Sequence, residues 1–246
     1  MTLRIAAESV PGLPEIEPEA DLAALIVAAG AGIAAGDVVV VSQKAISKAE
    51  GRLVRLADVN PSPRARDLAE KLGKEPEVVQ LVLDESAAVL RAERGVLITR
   101  THHGLVCANA GVDRSNLSGD DVACLLPIDP DASARRLRAA LPGHPAVVIA
   151  DSFGRAWRLG QADVAIGCAG LAPLHDRRGS ADHGGRKLEA SVDAVADQAA
   201  SAAALARDKS GREAVVIVHG LHRYVTTEDG PGAAAIIRPL AEDLFT

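Results

Sequence analysis

Few residues of this 246-residue chain have the type and placement to do chemistry, and the best of them follow buried, Val-rich runs. Asp151 and Ser152 end the run AVVIAD. A carboxylate beside a hydroxyl at a strand exit suits a hard cation such as Mg²⁺, which takes few protein oxygens and fills its shell with phosphate and water. Asp113, in NAGVDRSN, is the natural second carboxylate. Two such groups can hold one or two metals against a polyphosphate, where the ions neutralise charge and align an in-line attack. Either Asp taken alone reads more readily as a turn or capping residue.

Cations surround these acids in the sequence. GRAWRLG sets Arg155 and Arg158 around the only tryptophan, Trp157. Guanidinium groups bind phosphate or carboxylate bidentately, and an aromatic beside them can stack on a planar ring or simply anchor the core. Arg155 joins Asp113 and Asp151 as the candidate catalytic set. Lys44 and Lys48, four apart after a buried run, can meet phosphates as point charges or sit in an exposed turn. Arg177, Arg178, Arg186 and Lys187 make HDRRGSADHGGRK locally positive, which favours an anionic ligand or a solvated loop. His102 and His103 lack ligand spacing and read as hairpin polar residues.

Standard templates fail: the chain has no G-x-x-x-x-G-K-[ST], no G-x-G-x-x-G after a strand, no H-E-x-x-H and no G-x-S-x-G. A net charge of −6 argues against nucleic acid or an anionic membrane face as partner, since both require a basic footprint. No signal-like start and no apolar run of about 18 residues appears, so a cytoplasmic protein is expected. Cys107, Cys124 and Cys168, odd in number and without C-x-x-C, read as reduced core thiols. A chain of this mass should fold to roughly 10,000 Å² of surface, burying about 70% of what it exposes unfolded. The core must come from Ala, Val, Leu and Ile, because only 2% of residues are aromatic.

The elements that position these groups read as a mixed α/β alternation. LRIAA is a strand, VPGLPEI a loop, EADLAALIVAAG a helix and GDVVVVSQ a buried strand. SKAEGRLVRL reads as a turn and a short strand. Ser62 and Pro63 open a helix closed by Gly73, and EPEVVQLVLDESAAVLRAE is a second helix. Residues 95–110 form a hairpin, and 107–131, dense in Asn, Asp, Gly and Ser, a long functional loop. Then come a helix (SARRLRAALPG), a strand (145–151), a loop, the apolar stretch DVAIGCAGL and a charged loop (175–187). A helix (EASVDAVADQAASAAALARD), a strand (AVVIVHG) and a C-terminal helix (GAAAIIRPLAEDLF) finish the series.

Taken in order, VPGLPEI, VVSQKAISKAEGR, CANAGVDRSN, VIADSFGRAWRLGQADVAIGCAGL, DRRGSADHGGRKL and VADQAA resemble the coenzyme F420-0:L-glutamate ligase family from about residue 8 to residue 222. The resemblance implies an α/β (mixed α+β) fold of two intertwined subdomains with mixed sheets, a single ligase domain over 1–246, and a homodimer with the active site near its interface. It implies GTP-dependent addition of L-glutamate to F420-0, then of a further γ-linked glutamate, through an acyl phosphate, with release of GDP and phosphate. Mg²⁺ or Mn²⁺, two per site, and K⁺ assist. Carried over, the metal-binding positions match Asp113, Asp151 and Ser152. The GTP contacts match Leu13, Pro14, Glu15, Ile16, Gln43, Lys44, Lys48, Asn116 and, in a divergent segment, Asp208.

Departures accompany the match. Ser152 stands where the family often has Thr, ALARDKSGRE replaces the usual L-x-M-G region, and His219 replaces an Arg. RPLAEDLF looks like the close of the ligase half in two-domain versions, whose flavin reductase-like half is absent from this sequence. Two other readings stay open: a related NTP-dependent amino-acid ligase acting on another carboxylate, and a non-catalytic deazaflavin- or nucleotide-binding module.

Overall fold

The computed structural model describes residues 4–243 apart from 116, 118, 120 and 209–212. Its centre is a five-stranded sheet in the order β1 (Ala6–Ser9), β12 (Val215–His219), β2 (Val38–Ser42), β8 (Ala146–Arg155), β9 (Arg158–Ala169). Only β2 and β8 run parallel, with Val38 opposite Ala146 and Ser42 opposite Ala150. The runs VVVV and AVVIA are buried throughout, as strands covered on both faces must be. One face carries α1 (Leu22–Ala28), α2 (Gln43–Ala49) and α5 (Pro130–Ala140), whose Ile26, Ile46 and Leu137 pack on Val39, Val41 and Ile149. The other carries α6 (Val195–Ala206), whose Ala196, Ala199 and Ala203 bring the helix close to Val40, Val148 and Val216.

Between α2 and α5 the chain builds a second core around Leu56, Leu72, Val79, Val82 and Leu97. It holds α3 (Pro63–Leu72), α4 (Pro76–Asp84), the antiparallel sheet β4 (Ser86–Glu93), β5 (Val96–Thr101), β6 (Val106–Ala108), and the pair β3 (Leu53–Arg55) with β7 (Val122–Cys124). Local signals place α3 well: Ser62 Oγ accepts from Ala65 N at 3.2 Å, Pro63 opens the helix, and Gly73 closes it at φ 64°. A two-stranded ladder of β10 (Leu174–Asp176) and β11 (Val192–Ala194) lies outside the main sheet.

The structure departs from the sequence reading in several places, with β7 inside the expected loop 107–131 and β11 inside the expected helix EASVDAVADQAASAAALARD. Residues 43–49 form the helix α2 rather than a turn; seven residues are too few for a periodicity to show. The expected helix from Pro76 stops at Asp84, and SAAVLRAE becomes β4, because pairing with β5 (Val89 opposite Thr99) outweighs the helix preference of Ala, Leu and Arg. The C-terminal helix is replaced by 3₁₀ turns at Ala233–Ile236 and Leu240–Glu242. Pro239 separates them, and the Asp131 carboxylate takes the N–H of Ala233 at 2.7 Å. Finally, β8 does not end at Asp151. It continues to Arg155 and returns as β9, so residues 146–169 form one long hairpin with Ala156 and Trp157 at its tip.

The described chain exposes 13253 Å², well above the roughly 10,000 Å² expected of a compact monomer of this mass. No helix among the described residues is long and apolar enough to cross a membrane. All three cysteines are free and buried.

Candidate active site

The parallel pair β2–β8 decides where the chemistry gathers. Ser42 lies opposite Ala150, so the residues that follow on each strand, Lys44 at the start of α2 and Asp151 in β8, emerge side by side at the same end of the sheet. Polar groups at the carboxyl ends of adjacent parallel strands are where α/β sheets bind ligands. Asp113 reaches this place from the second core, held by a two-hydrogen-bond bridge to Cys124, with its N–H donating at 3.0 Å and its carbonyl accepting at 2.8 Å.

Lys44 Nζ stands 2.8 Å from Asp113 Oδ2, and donates to Ser115 Oγ at 2.7 Å and to the Ser115 carbonyl at 2.9 Å. Ser115 N–H in turn donates to Asp113 Oδ1 at 2.7 Å. Burial alone would raise the Asp113 carboxyl, but the Lys44 ammonium and Ser115 more than offset it and hold it below its ordinary value. Asp151 behaves oppositely. Desolvation, together with the like charges of Asp113 and Asp163, pushes it up to about 7, against the opposing Ser152 N–H and Lys44. Cys107 lies close enough that burial and the Asp151 charge push its thiol up to about 12.

The turn carrying Asp113 is strained. Asn109, Ala110 and Gly111 all have positive φ, 53°, 52° and 73°. Each left-handed non-glycine residue costs roughly 1–2 kcal/mol. A side chain at Gly111 would also meet Leu126 Cγ at 2.6 Å. Asn109 Oδ1 is buried without a hydrogen-bond partner. Such a turn persists only where the surroundings over-determine it, and that is common at functional sites.

The G-L-P loop flanks α2. Leu13 and Ile16 are buried in the main core, Pro14 is exposed, and the Glu15 carboxylate pairs with Lys48 Nζ. Lys44 and Lys48, at i and i+4, share a helix face. A cavity of about 250 Å³ opens here, lined by Glu15, Ile16, Lys48, Arg55, Leu117 and Val122. Gln43 is buried and its Oε1 accepts from Ser47 Oγ at 2.9 Å, so a ligand contact from this residue falls to its main chain.

Other expected site residues lie apart from this cluster. Ser152 alternates to the opposite face of β8 from Asp151, where its Oγ donates to Asp163 Oδ1 at 2.5 Å. Its hydroxyl therefore does not share a face with the two carboxylates. Arg155 is four residues further out on the hairpin, exposed, and donates to the Leu159 carbonyl at 2.7 Å. It belongs to the hairpin tip rather than to the Lys44–Asp113 cluster. Trp157 is not a core anchor but 80% exposed. Asp208 is exposed, with its N–H donating to Glu213 at 2.8 Å, and Asn116 lies outside the described residues.

Sequence reasoning missed Asp163 and Arg207. Asp163 is 3% exposed and accepts from Ser152 and, at 3.1 Å, from Arg207 Nη1. A lone acid opening an apolar strand was the available signal. Among the described residues no group of three or more His, Cys, Asp or Glu gathers as a metal cage. Asp113 and Asp151 nonetheless fit a hard cation: both offer carboxylate oxygens, and the like charge of one raises the other, which an added positive ion would relieve.

The fold and the site define an α/β enzyme whose charged cluster lies where the parallel pairing of β2 with β8 ends. Comparison with known proteins then gives the family: residues 12–220 match the model of F420-0:Gamma-glutamyl ligase, and the chain belongs to that family. It is 40% identical to the coenzyme F420:L-glutamate ligase of Methanothermobacter thermautotrophicus, with 98% of each chain covered. Identity to the protein of that name from Methanopyrus kandleri is 42%, covering 99% of this chain and 98% of the relative. The Halobacterium salinarum coenzyme F420:L-glutamate ligase is also 42% identical, over 86% of this chain and 85% of its own length.

Proposed function

We propose that this protein joins L-glutamate to F420-0 and then adds a further γ-linked glutamate, using GTP and passing through an acyl phosphate. The observation that carries the reading is the Lys44–Asp113 pair at 2.8 Å beside the half-buried Asp151, next to the Glu15–Lys48 cavity. In balanced form, the terminal phosphoryl group of GTP passes to an oxygen of the substrate carboxylate, leaving GDP. The glutamate amine then forms the amide bond as phosphate departs and the amine's proton is lost.

Phosphoryl transfer of this kind is mostly positioning and charge neutralisation, so most of the chain's work is to hold charges in place. Leu13 and Ile16 root the G-L-P loop in the core, and Pro14 and Glu15 present its main chain and a carboxylate to the nucleotide. Lys44 and Lys48 face the phosphates from α2, with Gln43 contributing its main chain, and Asn116 and Asp208 complete the nucleotide contacts. Asp113 and Asp151 would hold Mg²⁺ or Mn²⁺, with Ser152 contributing through its main chain. Bound there, the metal supplies charge neutralisation on the phosphates. K⁺ is a further requirement of this reading.

A homodimer accords with a surface larger than a compact monomer needs. The protein acts as one ligase domain of two subdomains, in the cytoplasm, on small substrates. Mass spectrometry of the product from F420-0, L-glutamate, GTP and Mg²⁺ tests the reading: glutamylated F420 is expected. GDP release that ignores F420-0 and glutamate would sink it. Product with ATP or another acid alone would favour the altered ligase, and binding without product the non-catalytic module.

A further inference from the structure

The tip of the β8–β9 hairpin sets an exposed aromatic in a strained turn. Trp157 is the only tryptophan, 80% exposed, and holds φ at 58° in a two-residue turn where Gly or Asn would be unstrained. It gains little from the core and strains its backbone. Leu159 beside it is 98% exposed, and Arg155 and Arg158 pair across the strands immediately below the tip. An exposed aromatic in a strained turn, with two guanidinium groups paired below it, suits a planar ligand that carries an anionic group.

The hairpin also measures a length. Asp151 lies on the strand that leads to the tip, and the four steps from Asp151 to Arg155, its last residue, span about 13 Å at the usual strand rise. By the alternation of β8, Asp151, Phe153 and Arg155 lie on one face, where Phe153 packs against the main core. One face of the strand thus leads from Asp151, past a guanidinium, to the aromatic ring at the tip. Resting on the function proposed above, we infer that Trp157 stacks on the deazaflavin ring of the acceptor, with Arg155 and Arg158 at its phosphodiester, so that the hairpin sets the distance between ring and reacting carboxylate.

The test uses the full chain and two acceptors: F420-0, and the deazaflavin riboside that lacks both phosphodiester and carboxylate. Trp157→Ala should raise the KM for F420-0 by about 5- to 100-fold, the range lost when a stacked aromatic is truncated. The KM for GTP should stay within about twofold by the same logic. Trp157→Phe should recover most of the loss. Riboside binding, read by emission from the sole tryptophan, should survive Arg158→Ala, while F420-0 binding weakens. An unchanged KM for F420-0 in Trp157→Ala would overturn the inference. If that variant also loses self-association in sedimentation, the tip is instead a contact between copies. Absence of any glutamylated product from the unaltered protein would count against the proposed function alone, because riboside quenching is read without turnover.

Discussion

Ser152 Oγ donates to Asp163 Oδ1 at 2.5 Å across the β8–β9 ladder, turning the residue beside Asp151 to the opposite face of the sheet. Arg207 closes the arrangement, its Nη1 3.1 Å from Asp163 Oδ2, so the end of α6 is tied to the strand that carries the site. Two further Arg207 nitrogens, Nε and Nη2, are buried without hydrogen-bond partners, and the charges of Asp163 and Glu213 support the guanidinium.

Removing Asp163 should therefore do more harm than removing Ser152. Asp163→Ala leaves the buried Arg207 without its ion-pair partner and should destabilise the fold by about 3–5 kcal/mol. Ser152→Ala removes a hydroxyl and should cost about 1–2 kcal/mol. Urea titrations of both variants check the order, and equal losses would contradict it.

The strained turn that delivers Asp113 gives a second prediction. Gly111→Ala combines a left-handed backbone with contact against Leu126, and should destabilise by about 2–4 kcal/mol. The expected readout is a lowered melting temperature and weaker Mn²⁺ binding, since the turn holds the carboxylate in place.

Asp151 makes the metal-free protein sensitive to pH in an unusual direction. Its folded value of about 7 exceeds its ordinary 3.8, so the native state binds the extra proton between these limits and stability falls as pH rises through that window. The loss amounts to a few kcal/mol and is complete above about pH 7. Asp113, held below its ordinary value, contributes with the opposite sign and loses its share only as pH falls through that lowered value. Melting curves from pH 4 to 8 without divalent metal should show the decline, and Asp151→Asn should flatten it. Mg²⁺ should bind with release of protons near neutrality.

Lys44 acts on both carboxylates. Lys44→Met should let Asp113 rise and push Asp151 higher still, because the ammonium lowers each. Carboxyl NMR titration reads this directly. Turnover should drop by at least about 10²-fold if the ammonium neutralises phosphate charge in the transition state. Asp113→Asn and Asp151→Asn should reduce turnover by a similar or larger factor with folding retained, and chelation of divalent metal should reproduce the effect.

What the sequence alone determined was local. The cap and stop residues of α3, the continuous apolar runs of β2 and β8, the His102–His103 hairpin and the buried thiols all follow from short-range pattern, because capping, strand burial and turn chemistry depend on neighbours a few residues apart. The Asp113 and Asp151 motifs were equally legible. Tertiary structure decided what pattern could not carry: that 86–93 is a strand because β5 lies beside it, and that β8 runs on past Asp151 into a hairpin. It alone turned Ser152 away from Asp151 and joined Lys44 to Asp113 across 69 positions of sequence. The physical reason is the same in each case. These outcomes are set by which strand a segment meets and which face its side chain then takes, and contacts between distant segments leave no mark in the spacing of residues along the chain.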